Sequence, residues 1–178
     1  MGLVYIASVT ASASATVSFT TGIDATYNEY QFHFANMHPA TDGKPLLFQV
    51  NAAGASGFNE TITSTIFSVY NNEADSAAAI TYQTSVDQAQ GTAYQYLSDS
   101  IGNDNDQSAS GILTLYAPSS TTYVKHFTSM LNGYYHGDFS IQEFGAGYIN
   151  TTAAIDEISF KFLSGNIDAG TIHMYGVG

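Results

Sequence analysis

The sequence predicts an all-β fold, an antiparallel two-sheet sandwich of the jelly-roll type. Apolar and polar residues alternate with a period of two, which is typical of strands that bury one face. Clusters of Gly, Pro, Asn, Asp and Ser separate the alternating runs and predict turns. No run shows the 3.6-residue period of an amphipathic helix, so a helical fold is not expected.

The alternating runs follow one another along the chain. In one of them, Tyr30, Phe32 and Phe34 alternate with Gln31 and His33. The runs predict about nine or ten strands, a number that suits two packed sheets. In chain order, the predicted strands are 4–7, 17–19, 30–34, 47–50, 61–70, 112–116, 123–130, 141–150, 158–163 and 172–175. The predicted turns are 21–22, 42–43, 54–57, 118–120, 132–133 and 164–166.

The length of 178 residues fits one domain, spanning 1–178, that can bury a hydrophobic core. Thirteen Tyr and eleven Phe supply large side chains for this core. The least strand-like stretch is 71–107, which is rich in Ala, Asp, Gln and Asn. We expect it to be a long excursion from the sandwich or to hold a short helix near Ala77. Loops of this length are usually functional or contact a neighbour.

The charge of the chain excludes several classes of partner. The net charge is −12, and the only basic side chains besides His are Lys44, Lys125 and Lys161. Binding to nucleic acid requires several Lys or Arg to replace the counterions of the phosphates. We therefore expect no nucleic-acid partner and, for the same reason, no anionic membrane surface. The absence of Cys excludes disulfides and Cys-ligated zinc.

The beginning of the chain, Met1 to Ser8, has no basic region and only a short apolar run, so we do not expect a signal peptide. No apolar stretch approaches the roughly 18 residues that a membrane-spanning helix needs. These features predict synthesis in the cytoplasm and, for an extracellular role, release by lysis.

The five His do not form a recognisable metal motif. No two of them have a metal-ligand spacing such as His-x-His or His-x-x-x-His. His33, His126 and His173 lie in predicted strands, on the face opposite the Phe side chains, and this favours surface or interface residues. His38 and His136 lie outside the predicted strands. A metal site assembled from distant strands stays an alternative, and no cofactor is expected.

Asp104 and Asp106 lie in an Asn- and Asp-rich segment that is similar to a calcium loop. With Asp104 in the first position, the sixth position is Ala109, where the loop pattern needs Gly, and the closing Glu is missing. The segment therefore favours a solvated acidic turn, with a bound cation as the weaker interpretation.

No nucleophile motif such as Gly-x-Ser-x-Gly is present, and we do not expect an enzyme. The carboxylate pair of a glycoside hydrolase is a spatial feature that spacing alone does not reveal. Asp138 with Glu143, and Asp156 with Glu157, are therefore candidates for such a pair. The simpler interpretation of each is a charge at the end of a strand.

Three short features are candidates for contact with a partner. Tyr134 and Tyr135 follow a predicted turn and could form an exposed aromatic tip, although packing within a hairpin is the simpler interpretation. Phe58 lies in a Gly-rich loop. Leu3 and Tyr5 belong to the first predicted strand, which would present an apolar edge if nothing paired with it.

Five segments of the chain share a distinctive pattern of turn residues and strand residues with a known family. These segments are 20–30 (TTGIDATYNEY), 38–43 (HPATDG), 102–106 (GNDND), 118–123 (PSSTTY) and 165–172 (GNIDAGTI). They resemble small virion proteins of tailed phages of aquatic bacteria. The resemblance spans nearly the whole chain, and it includes no catalytic motif.

The resemblance implies a jelly-roll structural protein of a phage particle. We expect a capsid decoration (cement) protein on the outer surface of the head, a homotrimer that binds the major capsid protein. The alternative is a tail-fibre or tail-tip head that binds a host surface glycan, and a jelly-roll glycan hydrolase is a weaker third interpretation. The acidic balance favours an outer location, because packaged DNA would repel a protein with this charge.

Overall fold

The computed structural model describes residues 2–178 and confirms the all-β fold. Thirteen strands occur in these residues, and each pairs antiparallel with its neighbours. No helix in this part of the chain is long and apolar enough to cross a membrane. The strands are β1 Leu3–Thr10, β2 Val17–Phe19, β3 Glu29–Pro39, β4 Leu46–Ala52, β5 Ile62–Asn72, β6 Ala78–Tyr82, β7 Ala89–Gly91, β8 Gln95–Tyr96, β9 Ala109–Tyr116, β10 Lys125–Tyr135, β11 Phe139–Ile149, β12 Ile155–Phe162 and β13 Ile167–Val177.

Eight of the strands have the nested pairing of a jelly roll. β1 pairs with β13, β2 with β12, β3 with β9 and β4 with β8, so the first strand of the roll meets the last and the middle strands meet each other. These strands form two four-stranded sets, β1-β13-β3-β9 and β2-β12-β4-β8. The two sets belong to different sheets, as two nested Greek keys require.

The remaining strands widen one sheet of the roll. β10, β11, β5 and β6 continue the larger sheet beyond β9, while β7 also pairs with β5. The smaller sheet has only four strands and therefore does not extend under this addition. Residues 83–101, which we call the covering segment, contain β7 and β8, and other parts of this segment pack against the inner face of β5 and β11. Gln83, Gln88 and Gln95 of this segment form hydrogen bonds to Ser68 and Ser64 of β5.

The predicted excursion at 71–107 is thus only partly irregular. It contains β6, β7 and β8, which belong to the two sheets. The alternative of a helix near Ala77 is wrong, since Ala78–Tyr82 is a strand that pairs with β5. β6 was hard to recognise because its side chains are mostly exposed and its Ala residues give little alternation.

The predicted turn at Asn132-Gly133 is also wrong. Both residues lie inside β10 and are paired with β9 on one side and β11 on the other. Neighbouring strands on both sides take up the backbone hydrogen bonds, which overrides the local turn preference. The hairpin turn follows instead at His136 to Asp138, where Asp138 has a φ of 65°.

The core lies between the two sheets and is rich in aromatic rings. Phe160 of the smaller sheet contacts Phe19, Phe32 and Phe34, with ring centroids 5.2–6.5 Å apart. Burying each such ring stabilises the fold by about 1.5–3 kcal/mol. Lys125 is also fully buried, and its Nζ donates to two backbone carbonyls. Burial lowers the pKa of this amine.

Candidate functional site

The outer face of the larger sheet carries two rows of side chains that are aligned across the strands. Members of one row are direct cross-strand partners, and the two rows are neighbours because side chains on one face recur at every second residue. We call these residues the outer rows. The first row is Ser8, His173, His33, Ile112, Met130, Phe144, Phe67 and Tyr82. The second is Tyr5, Tyr175, Gln31, Thr114, Thr128, Ala146 and Thr65.

The outer rows contain no Asp, Glu or Lys, although the chain carries 15 acidic residues. The carboxylates of Asp87 and Glu29 lie at the edge of the outer rows. Tyr82 Oη donates to Asp87 Oδ2 at 2.6 Å at one end, and Gln31 Nε2 donates to Glu29 Oε1 at 2.9 Å along one side. A neutral centre with a polar rim, enriched in aromatic residues and Met, is the composition of a protein-binding surface.

The aromatic half of the outer rows forms a shallow depression of about 440 Å³. Phe67 and Phe144 stack at one side of it, with ring centroids 4.9 Å apart and planes at 13°. Met130 is 50% exposed and Phe67 is 43% exposed. The neighbouring position on β11 is Ala146, whose small side chain leaves the space open. This depression offers an apolar floor with hydroxyl groups from Thr65 and other Thr side chains beside it.

Two His residues meet in the polar half of the outer rows. His33 and His173 are direct cross-strand partners, and the His33 ring lies 4.8 Å from the Tyr175 ring. His33 Nε2 is hydrogen-bonded to Gln31 Oε1 at 3.0 Å. Burial, and next the charge of His173, lower the pKa of His33. The pair has no third partner for a metal, since residues 2–178 contain no cluster of three or more His, Asp or Glu suited to one.

The other three His lie apart from this pair. His38 Nδ1 is hydrogen-bonded to the carbonyl of Gln107 at 2.7 Å. The ring of His136 packs on that of Tyr135 at 4.2 Å, and His126 lies 6.2 Å from the Tyr148 ring.

The predicted contact residues do not come together as one site. Tyr5 lies in the second outer row, 5.9 Å from Tyr175, and Leu3 is beside it on the same edge strand. Phe58 lies in the loop between β4 and β5, where its N–H donates to a side chain of β4 at 2.7 Å. Tyr134 Oη donates to Glu73 Oε1 at 2.9 Å, at the far end of β10.

Tyr135 does not belong to an exposed aromatic tip. It is half-buried and packs against Phe139, with ring centroids 5.6 Å apart. Tyr134 is also half-buried, because β10 continues through both residues. Hairpin packing, the simpler interpretation in the sequence, therefore describes Tyr135.

The candidate ligands and carboxylates are dispersed as well. Asp104 and Asp106 lie in an exposed turn before β9, where the Asp104 N–H donates to the side chain of Gln107 at 3.1 Å. Asp138 lies in the β10–β11 turn and accepts a hydrogen bond from Tyr134.

The second predicted carboxylate pair is split by the β-bulge in β12. The bulge lies between Ile155 and Glu157, and Asp156 is the residue that it leaves without a partner on β4. Glu157 accepts a hydrogen bond from Asn51 Nδ2 at 2.7 Å.

Glu143 is the one candidate carboxylate with an unusual environment. It lies on the inner face of β11, is only 5% exposed, and its Oε2 has no hydrogen-bond partner. Burial, and next the nearby charge of Asp99, raise its pKa to about 7. Glu143 and Asp99 line a cavity of about 100 Å³, below the roughly 300 Å³ at which ligand sites begin, so a sugar ring would not fit between them.

Sequence reasoning missed the aromatic half of the outer rows. The sequence signal for these exposed residues lies in β5, where apolar residues occupy adjacent positions: Ile66 is buried and Phe67, the next residue, is exposed. Apolar residues of both phases indicate a strand with two apolar faces, and only one of these faces can belong to the core.

No protein-family model, curated protein or solved structure matches the chain. The assignment of function therefore rests on the geometry and charge of the described residues. The outer rows contain no Asp, Glu or Lys and include exposed aromatic residues and Met130, and they are the candidate functional site.

Proposed function

We propose that this protein is a structural component of a phage virion, a capsid decoration protein that stabilises the head from outside. The observation that supports this proposal best is the neutral face formed by the outer rows on a chain with a net charge of −12. Such a face can be buried against a capsid subunit without desolvating a carboxylate, which would cost several kcal/mol for each unpaired charge. The acidic residues then remain in solvent.

The size of the face suits an attachment that uses several copies. Eight strands, each about 4.8 Å wide, span about 38 Å, and two rows, each about 7 Å wide, give a strip of roughly 500 Å². A stable interface usually buries about 800 Å² on each partner. One copy would thus bind weakly, and a homotrimer would gain affinity because its second and third contacts are intramolecular.

The edge strand β1 is the proposed contact between the copies of a trimer. It pairs with β13 on one side only, and Leu3, Val4 and Tyr5 are 44–58% exposed. An exposed apolar edge strand favours pairing with another chain. Light scattering coupled to size-exclusion chromatography measures the oligomeric state, and a Tyr5→Lys variant should shift a trimer toward monomer. A monomeric wild-type protein would contradict this part of the proposal.

The attachment is tested with two matched charge substitutions. Met130 and Leu163 have nearly equal exposure, 50% and 52%, but only Met130 lies in the outer rows. Met130→Glu should abolish co-sedimentation of the purified protein with virus particles that lack it, and Leu163→Glu should leave it unchanged. Equal binding by both variants would contradict attachment through the outer rows.

Copy number separates decoration from the main alternative. Quantitative gel staining of purified virions should show hundreds of copies per particle, because a cement protein binds the whole lattice and stabilises it by mass action. Tens of copies would instead indicate a tail-fibre or tail-tip head.

A tail-fibre head that binds a host glycan is the second candidate. The observation that favours it is the depression of about 440 Å³, which combines stacked Phe67 and Phe144 rings with neighbouring hydroxyl groups. Aromatic faces and hydroxyl groups suit a sugar ring. A glycan array probed with the wild type and with Phe144→Ala tests it, and binding that the substitution abolishes would support this candidate.

A further inference from the structure

The inner cavity lies between β11 and the covering segment, on the opposite side of the larger sheet from the outer rows. Glu143 enters it from the sheet, while Gln83, Ser85 and Asp99 enter it from the covering segment. The cavity measures about 100 Å³. Since one water occupies about 30 Å³, this space holds a small ion together with one or two waters.

The cavity contains a carboxylate oxygen that nothing in the described chain satisfies. Glu143 is 95% buried, and its Oε2 has no hydrogen-bond partner among residues 2–178. An unpaired buried polar atom is costly, and an ionised one is much more so. Native proteins usually satisfy such an atom with a partner, an ordered water or an ion.

Asp99 supplies a second carboxylate to the same cavity, and this favours a bound cation. Asp99 is close enough that its charge disfavours the ionised form of Glu143. Asp99 Oδ1 accepts a hydrogen bond from the Ser100 N–H at 2.6 Å, and Asp99 Oδ2 takes no part in this bond. Two carboxylates that share a small cavity repel each other unless a proton or a cation lies between them.

Neutral oxygen ligands complete the donor set. Gln83 lines the cavity and donates its Nε2 to Ser68 Oγ at 2.6 Å, a hydrogen bond that does not use its amide oxygen. Ser85 lines the cavity as well. Carboxylate, amide and hydroxyl oxygens are the ligands of hard cations, and a mixed set from a strand and an irregular segment suits the flexible coordination of Ca²⁺ better than the strict octahedron of Mg²⁺.

We propose that the inner cavity binds one Ca²⁺ ion, held by the carboxylates of Glu143 and Asp99 with neutral oxygens from Gln83 and Ser85. The ion balances both negative charges and ties the covering segment to the larger sheet. This site is independent of the outer rows and of the proposed virion role.

The test is thermal unfolding of the full chain, freed of metal with a chelator and then titrated with Ca²⁺ or Mg²⁺. A Ca²⁺ concentration about a hundredfold above the dissociation constant should raise Tm by about 5–10 °C. Glu143→Gln and Asp99→Asn should each abolish the rise. The matched control is the double substitution Asp104→Asn and Asp106→Asn, which removes two carboxylates outside the cavity and should keep the rise.

The control is essential because any divalent cation screens a chain with a net charge of −12. A rise that persists in Glu143→Gln, or that Mg²⁺ reproduces in full, would show general screening and overturn the proposal. Loss of the rise in the control double variant would place the ion at the exposed turn and would also overturn it. Because the amide of Glu143→Gln removes a buried charge, this variant is expected to fold.

A second readout follows the covering segment directly. Ca²⁺ should slow proteolytic cleavage within 83–101 in the wild type and not in Glu143→Gln. Cleavage at an unchanged rate in the wild type would contradict the role of the ion as a tie between the segment and the sheet.

Discussion

The buried carboxyl of Glu143 makes a prediction about stability that does not depend on any ligand. In metal-free buffer, the substitution Glu143→Gln keeps the shape of the side chain and removes its ability to ionise. The wild-type carboxyl is 5% exposed and its Oε2 is unpaired, so the folded protein disfavours the charged form. The variant should therefore be more stable than the wild type wherever the wild-type carboxyl is forced to ionise.

The size of the effect follows from the pKa of Glu143, which rises from the ordinary value of 4.5 to about 7 on folding. At about 1.4 kcal/mol per pH unit, this difference corresponds to about 3 kcal/mol. Between these two values the folded state binds more protons than the unfolded state, so the free energy of unfolding falls as pH rises. The contribution of Glu143 is fully present below pH 4.5 and is lost above about pH 7.

Urea unfolding at a series of pH values between 4 and 8 measures this effect. The two proteins should have similar stability near pH 4, and Glu143→Gln should be more stable by about 3 kcal/mol at pH 8. This gain corresponds to about 6–12 °C in Tm for a chain of this length. Asp99→Asn removes the second cause of the raised pKa and should give a smaller gain, whereas the exposed Asp168→Asn should give none.

If the free energy of unfolding changed with pH in the same way for the wild type and Glu143→Gln between pH 5 and 8, the reasoning would be refuted. They would mean that the carboxylate is solvated in the folded protein and that the inner cavity is open to water. If Asp168→Asn had the same pH dependence of unfolding free energy as Glu143→Gln, the effect would come from net charge rather than from burial.

Two further predictions concern the larger sheet. Burial, and next the charge of His173, lower the pKa of His33, so the contribution of His33 to stability is present above pH 6.5 and is lost as pH falls below that value. In urea unfolding, His33→Gln should therefore lose less stability than the wild type as pH falls. The same dependence on pH in the two proteins would contradict this prediction. Gly111→Ala should destabilise the fold by about 1–3 kcal/mol, because a Cβ there would collide with the backbone of β10. Gly133→Ala should change stability by less than about 1 kcal/mol, because its Cβ would meet only ordinary contacts of 3.5 Å or more. Equal losses of stability in the two variants would contradict this prediction.

The strands of the roll were predictable because their alternation matches their burial. In β3 the order of Tyr30, Gln31, Phe32, His33 and Phe34 follows the buried and half-buried pattern of the structure residue by residue. One face of such a strand packs into a continuous core, so the period of two in the sequence and the period of two in burial have the same cause. The same reasoning failed at β6 and at Asn132-Gly133, where pairing with neighbouring strands decided the conformation.

The candidate sites were less predictable because they depend on strand register. His33 and His173 are 140 residues apart in the chain and directly opposite in the sheet. The pairing of Glu143 with Asp99 arises because the covering segment folds under the widened sheet. Neither juxtaposition has a signature in spacing, since each requires partners from different parts of the chain.

The amino-acid sequence by itself determined the all-β class, the position of most strands and the acidic, Arg-free composition that argues against nucleic-acid partners. These properties are local or compositional, and each residue contributes to them without reference to distant ones. The tertiary structure alone decided which surface is neutral and which carboxylate is trapped. Cross-strand register brought Met130, Phe144 and Phe67 into one row, and the mismatch between nine and four strands left an inner face that the covering segment had to fill with polar groups.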